Sequence, residues 1–202
     1  MLSTNPKAKL AVLVSGTGSN LEAIIKATQN SKYPAYVGVV ISDQKEALAL
    51  KKATAHQIPA VFVNPKLYDS REAYDQMLAS MLKEYKVDLV ILAGFMRVLS
   101  PIFVQAFPKK ILNIHPALLP KYPGLHAVKE ALESGDSHTG CTVHFVDEGV
   151  DTGPIIAQTQ VSIKKGDTQD SLHARIKEQE YTLYPKAISD ISHSLLIQKL
   201  KA

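Results

Sequence analysis

The chain has 202 residues, 46% hydrophobic and 21% charged, with a formal net charge of +4. This is an ordinary soluble composition with apolar material for a sizeable core, in one domain or a closely fused pair. The mild, interspersed basicity suits anionic small molecules and is far too weak to point to nucleic acid, so none is expected; the single cysteine excludes an internal disulfide; and a short polar stretch from Met1 to Lys9, before an apolar run ending at Val14, reads as neither signal peptide nor membrane span, so a cytoplasmic chain is expected.

Leu10 to Val14 is apolar without alternation, the pattern of a strand buried on both faces. Ser15-Gly16-Thr17-Gly18-Ser19-Asn20 follows at once, and Leu21 to Ala27 then has helical apolar spacing. A strand, a Gly-rich turn and a helix in that order suit an anion, because glycine lets the backbone approach and a helix N-terminus offers free N–H groups. The motif lacks the lysine of a Walker A loop, and Leu21 stands where a dinucleotide fingerprint has its third glycine. A tight turn capped by Ser19 or Asn20 accounts for the same residues. Val37 to Ile41 is a second strand, after which Asp43 either holds a ribose hydroxyl or caps a helix from Glu46 to Gln57. Pro59 to Val63 is a third strand. Asp69-Ser70-Arg71-Glu72 opens a long helix towards Lys86, with Arg71 opposing the helix dipole; an anionic partner or simple exposure explains it. Val87 to Ala93 is a fourth strand. The apolar loop Gly94-Phe95-Met96-Arg97-Val98-Leu99 after it either walls a flat, partly anionic ligand or packs as core. Alternating strands and helices with short connections indicate a doubly wound parallel sheet.

Ile111 to His115 is a further strand, stopped by Pro116, which cannot donate to a sheet. Asn113 and His115, two apart, face one side. An amide that donates to a developing oxyanion, beside an imidazole that moves protons, suits acyl transfer. A strand end with a solvated histidine and a turn-capping asparagine fits the same spacing. Ala117 to His126, with Pro120, Pro123 and Gly124, is an ordered loop, and a helix follows from about Ala127 to Glu133. Thr139 to Val146 alternates as a strand whose His144 lines the same cleft or is structural. His126, His138 and His144 match no zinc spacing, so no metal is expected, and Cys141 reads as packing. Asp147 to Pro154 is a loop with three carboxylates; one of them held beside an imidazole would favour its charged form. Ile155 to Val161 gives one more strand. Thr168 or Asp170 caps a helix through Glu180, and Tyr184-Pro185 precedes a last helix over Ile188, Ile191, Leu195 and Leu196.

Together these stretches resemble the phosphoribosylglycinamide formyltransferases, folate-dependent enzymes of purine synthesis. The resemblance runs from Ala11 to about Pro185. It rests on Ser15 to Leu21, on Asp69 to Glu72, on Ala93 to Arg97, and most on Leu112-Asn113-Ile114-His115-Pro116 with Leu118 to Gly124. Val143 to Val146, followed by Asp151-Thr152-Gly153-Pro154, completes it. The middle and last motifs are shared by the wider 10-formyltetrahydrofolate-using superfamily; the Gly-rich loop resembles the glycinamide ribonucleotide branch.

The resemblance implies a single α/β domain of Rossmann-like formyltransferase fold, with a mostly parallel sheet and helices on both faces. Residues about 10–105 would form a nucleotide half and about 106–190 a folate and catalytic half. The implied reaction moves the formyl group of 10-formyltetrahydrofolate, a cosubstrate, to the amine of phosphoribosylglycinamide. No metal, covalent intermediate, nucleic acid or membrane is implied, and the chain would be a monomer or homodimer. Carried onto this sequence, Asn113 and protonated His115 donate to the oxyanion, and Asp151 keeps His115 charged and oriented. Gly18, Ser19 and Asn20 match phosphate and ribose contacts. Lys177, Glu178, Gln179 and Glu180 match a second nucleotide contact. Arg71, Met96, Arg97, Val98, Leu99 and Asn113, with Asp147, Glu148, Gly149, Val150 and Asp151, match the folate pocket. Thr17 and Thr152 stand at positions that vary among relatives. Methionyl-tRNA formyltransferase would carry a C-terminal RNA-binding domain and formyltetrahydrofolate deformylase an N-terminal regulatory domain. A first strand near residue 10 and an end near the catalytic domain are expected of neither. A dehydrogenase-like nucleotide module without formyl chemistry is the remaining alternative, and Leu21 counts against it.

Overall fold

The structure, a computed structural model, describes residues 6–201. Part of the polar stretch read as no signal peptide, residues 1–5, lies outside the described residues. Among those described, one seven-stranded sheet has the order β3-β2-β1-β4-β5-β6-β7. β1 (Ala8–Val14), β2 (Ala35–Ser42), β3 (Ala60–Phe62), β4 (Leu89–Leu92) and β5 (Ile111–His115) run parallel. β6 (His138–Phe145) and β7 (Ile155–Ser162) complete the sheet antiparallel.

The first strand explains its own unbroken apolar run. Leu10, Val12 and Val14 pack on one face with residues of α1 (Ser19–Thr28), α2 (Leu48–Ala55) and α6 (Gln169–Lys201). Ala11 and Leu13 pack on the other with α3 (Arg71–Glu84) and α4 (Pro101–Ala106). Successive side chains of a strand point to opposite faces, so a strand covered on both sides is apolar throughout. The short α5 (Ala127–Glu133) joins the first face through Val128.

The chain passes from β1 to β2 and β3 on one side, then crosses to β4 on the other. The order therefore reverses between β1 and β4, and a ligand crevice forms at such a switch point, beyond the strand C-termini. The loops after these strands meet there. The Ser15 N–H donates to the Gly94 carbonyl at 3.0 Å, and the Met96 N–H to Ser15 Oγ at 2.9 Å. Asn113 on β5 is flanked by Leu92 on β4 and His144 on β6. Beneath them the buried Tyr184 hydroxyl lies 2.9 Å from the carbonyl oxygens of both Leu92 and Leu112, tying α6 to β4 and β5.

Several local expectations are corrected. Gly18 (φ 70°), rather than Ser19 or Asn20, is the N-cap of α1; Asn20 points inward instead. Asp43 caps nothing: α2 starts at Leu48 after Ala47, and the Asp43 carboxylate is buried beside Gln44, whose Nε2 reaches it at 3.3 Å. Pro101 to Ala106, unassigned from the sequence, forms a short helix. Pro185 does not divide the C-terminal helix, which continues through it for 33 residues. A proline deletes one helical hydrogen bond, and the buried neighbours Tyr184, Ala187 and Ile188 hold the helix to the core across the gap. Thr168 takes the cap, its Oγ1 accepting from the Ser171 N–H at 3.2 Å. Among the described residues no helix is long and apolar enough to cross a membrane.

Candidate active site

Asn113 and His115 stand on one side at the end of β5, and Asp151 reaches them from the loop between β6 and β7. Asp151 has φ 56°, a left-handed conformation that aspartate tolerates better than most residues. Gly153 permits the turn, since a Cβ there would lie 1.9 Å from the Phe145 carbonyl oxygen. The Asp151 Oδ2 accepts from the Gly124 N–H at 2.9 Å and sits 3.3 Å from His115 Nδ1. The other imidazole nitrogen, Nε2, lies 2.7 Å from the Tyr122 carbonyl oxygen. A carbonyl only accepts, so Nε2 donates to Tyr122, and the Asp151 carboxylate stands at ion-pair distance from the other ring nitrogen. Burial pushes the Asp151 carboxyl up. A hydrogen bond from His144, the Gly124 amide and the charge of the two imidazoles outweigh this and bring it down to about 2. Asp151 is therefore anionic at neutral pH.

Of the two expected oxyanion donors, His115 has one ring nitrogen on the Tyr122 carbonyl and the other at ion-pair distance from Asp151. Asn113 is the more available one. Its Nδ2 lies 3.2 Å from His144 Nε2 and 3.4 Å from Asp151 Oδ1, the latter a long bond of the kind that gives way to a substrate. His144, which the sequence left between cleft and structural roles, belongs to the site. Its Nδ1–H donates to the Phe145 carbonyl at 2.8 Å. Its Nε2 faces one donor, Asn113, and one acceptor, Asp151 Oδ1 at 3.4 Å, so it is satisfied whether or not it carries a proton. The direct cross-strand pairing of Asn113 with His144 would have found it, but strand register is not legible in one sequence.

These residues open onto a cavity of about 570 Å³, an ordinary size for a small-molecule site. Ser15 to Asn20 and α6 line one part of it. Among the described residues, the N–H groups of residues 16–20 donate to no protein acceptor, as an anion nest requires. Asn20 Nδ2 donates to Glu180 Oε2 at 2.8 Å, while the Asn20 Oδ1 is buried without a partner. Burial raises the Glu180 carboxyl, against the opposing pull of Asn20 and Lys177. Met96, Arg97, Val98 and Leu99, with Asp147, Gly149, Val150 and Asp151, line the other part. Met96 and Val98 are exposed at its mouth, whereas Phe95 and Leu99 turn into the core, so the apolar loop is both wall and packing. The Arg97 guanidinium stacks 4.9 Å over the Tyr74 ring.

Four expected contacts lie elsewhere. Arg71 pairs with Glu72 at 3.2 Å on the surface and does not line the cavity. Glu148 turns out to accept from Gln105 Nε2 at 2.8 Å. Glu178 and Gln179 are exposed, because a helix presents residues three apart, here Lys177 and Glu180, on one face and turns the two between them away. Gln169 and His173 line the cavity and were not expected. Among the described residues no group of three or more His, Cys, Asp or Glu could hold a metal ion.

Comparison with known proteins adds a family to this geometry. Residues 8–188 match the family model described as formyl transferase. The chain is 46% identical over 180 residues to phosphoribosylglycinamide formyltransferase of Escherichia coli (strain K12), covering 89% of this chain and 85% of that one. It is 51% identical over 191 residues to the trifunctional purine biosynthetic protein adenosine-3 of Drosophila melanogaster; the match covers 94% of this chain but only 14% of that longer protein. The crystal structure of glycinamide ribonucleotide transformylase 1 from Symbiobacterium toebii superposes with a TM-score of 0.91 at 46% identity, over 93% of this chain and 89% of that one.

Proposed function

Because the chain belongs to the formyl transferase family, we propose that it transfers the formyl group of 10-formyltetrahydrofolate to the amine of phosphoribosylglycinamide, a step of purine biosynthesis. The observation that carries this reading is one cavity in which a free-amide loop, an apolar wall and the Asn113–His115–Asp151 cluster meet. The loop at residues 16–20 suits a phosphate and the Met96 to Leu99 wall suits a folate ring. The acyl carbon would then lie between them, beside Asn113.

The amine nitrogen attacks the formyl carbon, a C–N bond forms, and the carbonyl becomes an oxyanion. Asn113 donates to it the amide hydrogen that otherwise reaches Asp151 across 3.4 Å. His115 contributes its positive charge from a fixed position between Tyr122 and Asp151. Donors aimed in advance at a developing charge are worth about 100- to 1000-fold each. The attacking nitrogen then loses a proton, the folate nitrogen gains one, and the bond between that nitrogen and the formyl carbon breaks. His144 Nε2, satisfied in both protonation states, is placed to hold the proton in passage.

Purified protein given 10-formyltetrahydrofolate should release tetrahydrofolate, followed by absorbance, only when phosphoribosylglycinamide is present. Release without the nucleotide would identify a hydrolase instead, and no release with it would overturn the reading.

A further inference from the structure

α6 presents more to the cavity than a nucleotide contact at Lys177 and Glu180. Gln169, His173, Lys177 and Glu180 fall four, four and three residues apart, which is one helix face, and all four line the cavity. The Asn20–Glu180 hydrogen bond holds this stripe against the first turn of α1, where the amides of residues 16–20 have no acceptor among the described residues. His173 is half-buried, one turn from Lys177, and among the described residues its imidazole has neither hydrogen bond nor ion pair. His173 and Lys177, one turn apart on this face, line the same cavity as the free N–H donors of residues 16–20, an arrangement that suits an anion.

Resting on the reading of the site as a nucleotide site, we propose that His173 is a specificity-determining residue for a phosphomonoester, closing the anion site from α6 with Lys177 and taking up a proton when the dianion binds. Burial holds the imidazole below its ordinary value of 6.5; Lys177 pushes it the same way and Asp170 opposes them. The imidazole is therefore neutral at pH 7 until an anion arrives. Of the elements packed on α6, β1 brings Lys9, α1 Glu22 and Lys26, and α5 Lys129, Glu130 and Glu133. β5 and β6 bring His115, His138, Cys141 and His144, and β7 brings no charged group. The groups that act on His173 are Lys177 and Asp170. A dianion beside Lys177 and His173 reverses the local field and favours the imidazolium. The contribution of the imidazole to binding is then present at low pH and lost as pH rises through the bound-state value.

The test has two arms. The His173 imidazole is titrated by NMR with and without ribose 5-phosphate, and KM for phosphoribosylglycinamide is measured at pH 6.5 and 8.5 for the wild-type chain and His173→Asn. Both proteins see the same titration of the phosphate, so their ratio isolates the imidazole. The expected result is a rise of about one unit with ribose 5-phosphate. KM of the variant should be about 2- to 5-fold higher at pH 6.5 and nearly unchanged at pH 8.5, since an imidazole whose free value lies below 6.5 and rises by one unit is only partly protonated at pH 6.5. An imidazole that does not respond to ribose 5-phosphate, or a KM ratio equal at the two pH values, would overturn the proposal. Absence of formyl transfer by the wild-type chain would overturn the functional reading, while the ribose 5-phosphate titration still decides the role of His173.

Discussion

At the scale of single residues, Asp151 is where position and charge are most tightly joined. Its carboxyl sits at about 2 in the folded chain against an ordinary 3.8. A depressed carboxyl contributes stability that is present above the ordinary value and lost as pH falls through the folded one. Its side chain is only 13% exposed, so the shift of nearly two units corresponds to about 2 kcal/mol at neutral pH. Urea unfolding should show the wild-type chain losing about 2 kcal/mol more than Asp151→Asn between pH 4.5 and pH 2, with the two converging at the acid end. Parallel curves would show that the carboxylate pairs in the folded state no better than in the unfolded one. Asn113 and His115 were legible as a same-side pair because strand alternation is local. Asp151 had no such signal, since its place depends on a turn through positive φ and on Gly153, and only the family resemblance singled it out. His144 was left between cleft and structural roles because its partner across the sheet is set by register.

At the scale of elements, the Gly-rich turn between β1 and α1 depends on Gly18. Its φ of 70° suits glycine, and a Cβ would lie 2.7 Å from the Cβ of Ala49 on α2. Gly18→Ala should cost about 2 kcal/mol, combining left-handed backbone strain with displacement of α2. Thermal unfolding measures the loss, and KM for the nucleotide should rise because the free amides of residues 16–20 move with the turn. A variant as stable as the wild type, with unchanged KM, would mean that the turn does not need this geometry. Apolar patterning revealed β1, β2, β5 and α5 close to their observed bounds because each buries a continuous face. It did not reveal that α6 continues through Pro185, where burial of Tyr184, Ala187 and Ile188 outweighs one lost hydrogen bond. The run from Lys177 to Glu180 was taken whole, although a helix shows only its first and last members to the cavity.

At the scale of the whole molecule, α1 and α6 bring distant parts of the chain together, and Asn20 meets Glu180 across 160 residues at the part of the cavity lined by Ser15 to Asn20 and α6. Burial raises the Glu180 carboxyl. A raised carboxyl favours folding below the ordinary value, and that contribution is lost as pH rises through the folded one. Glu180→Gln should therefore gain in thermal stability relative to the wild type as pH goes from 5 to 8, while KM for the nucleotide rises about tenfold for the lost charge-assisted contact. A stability difference independent of pH would show that Glu180 is not strained by burial. Sheet class and the parallel half were legible from alternating strands and helices. Which loops share the crevice follows from the order reversal between β1 and β4, which no local pattern encodes.

The convergence of Asn113, His115 and Asp151 on the reacting carbon is tested most directly by comparing turnover and nucleotide affinity in Asp151→Asn. Turnover with both substrates should fall at least about 100-fold while the dissociation constant for phosphoribosylglycinamide changes by less than about 3-fold, because the carboxylate acts on His115 in the transition state and not on the bound nucleotide. Equal losses in turnover and affinity would make Asp151 a binding residue and contradict the mechanism.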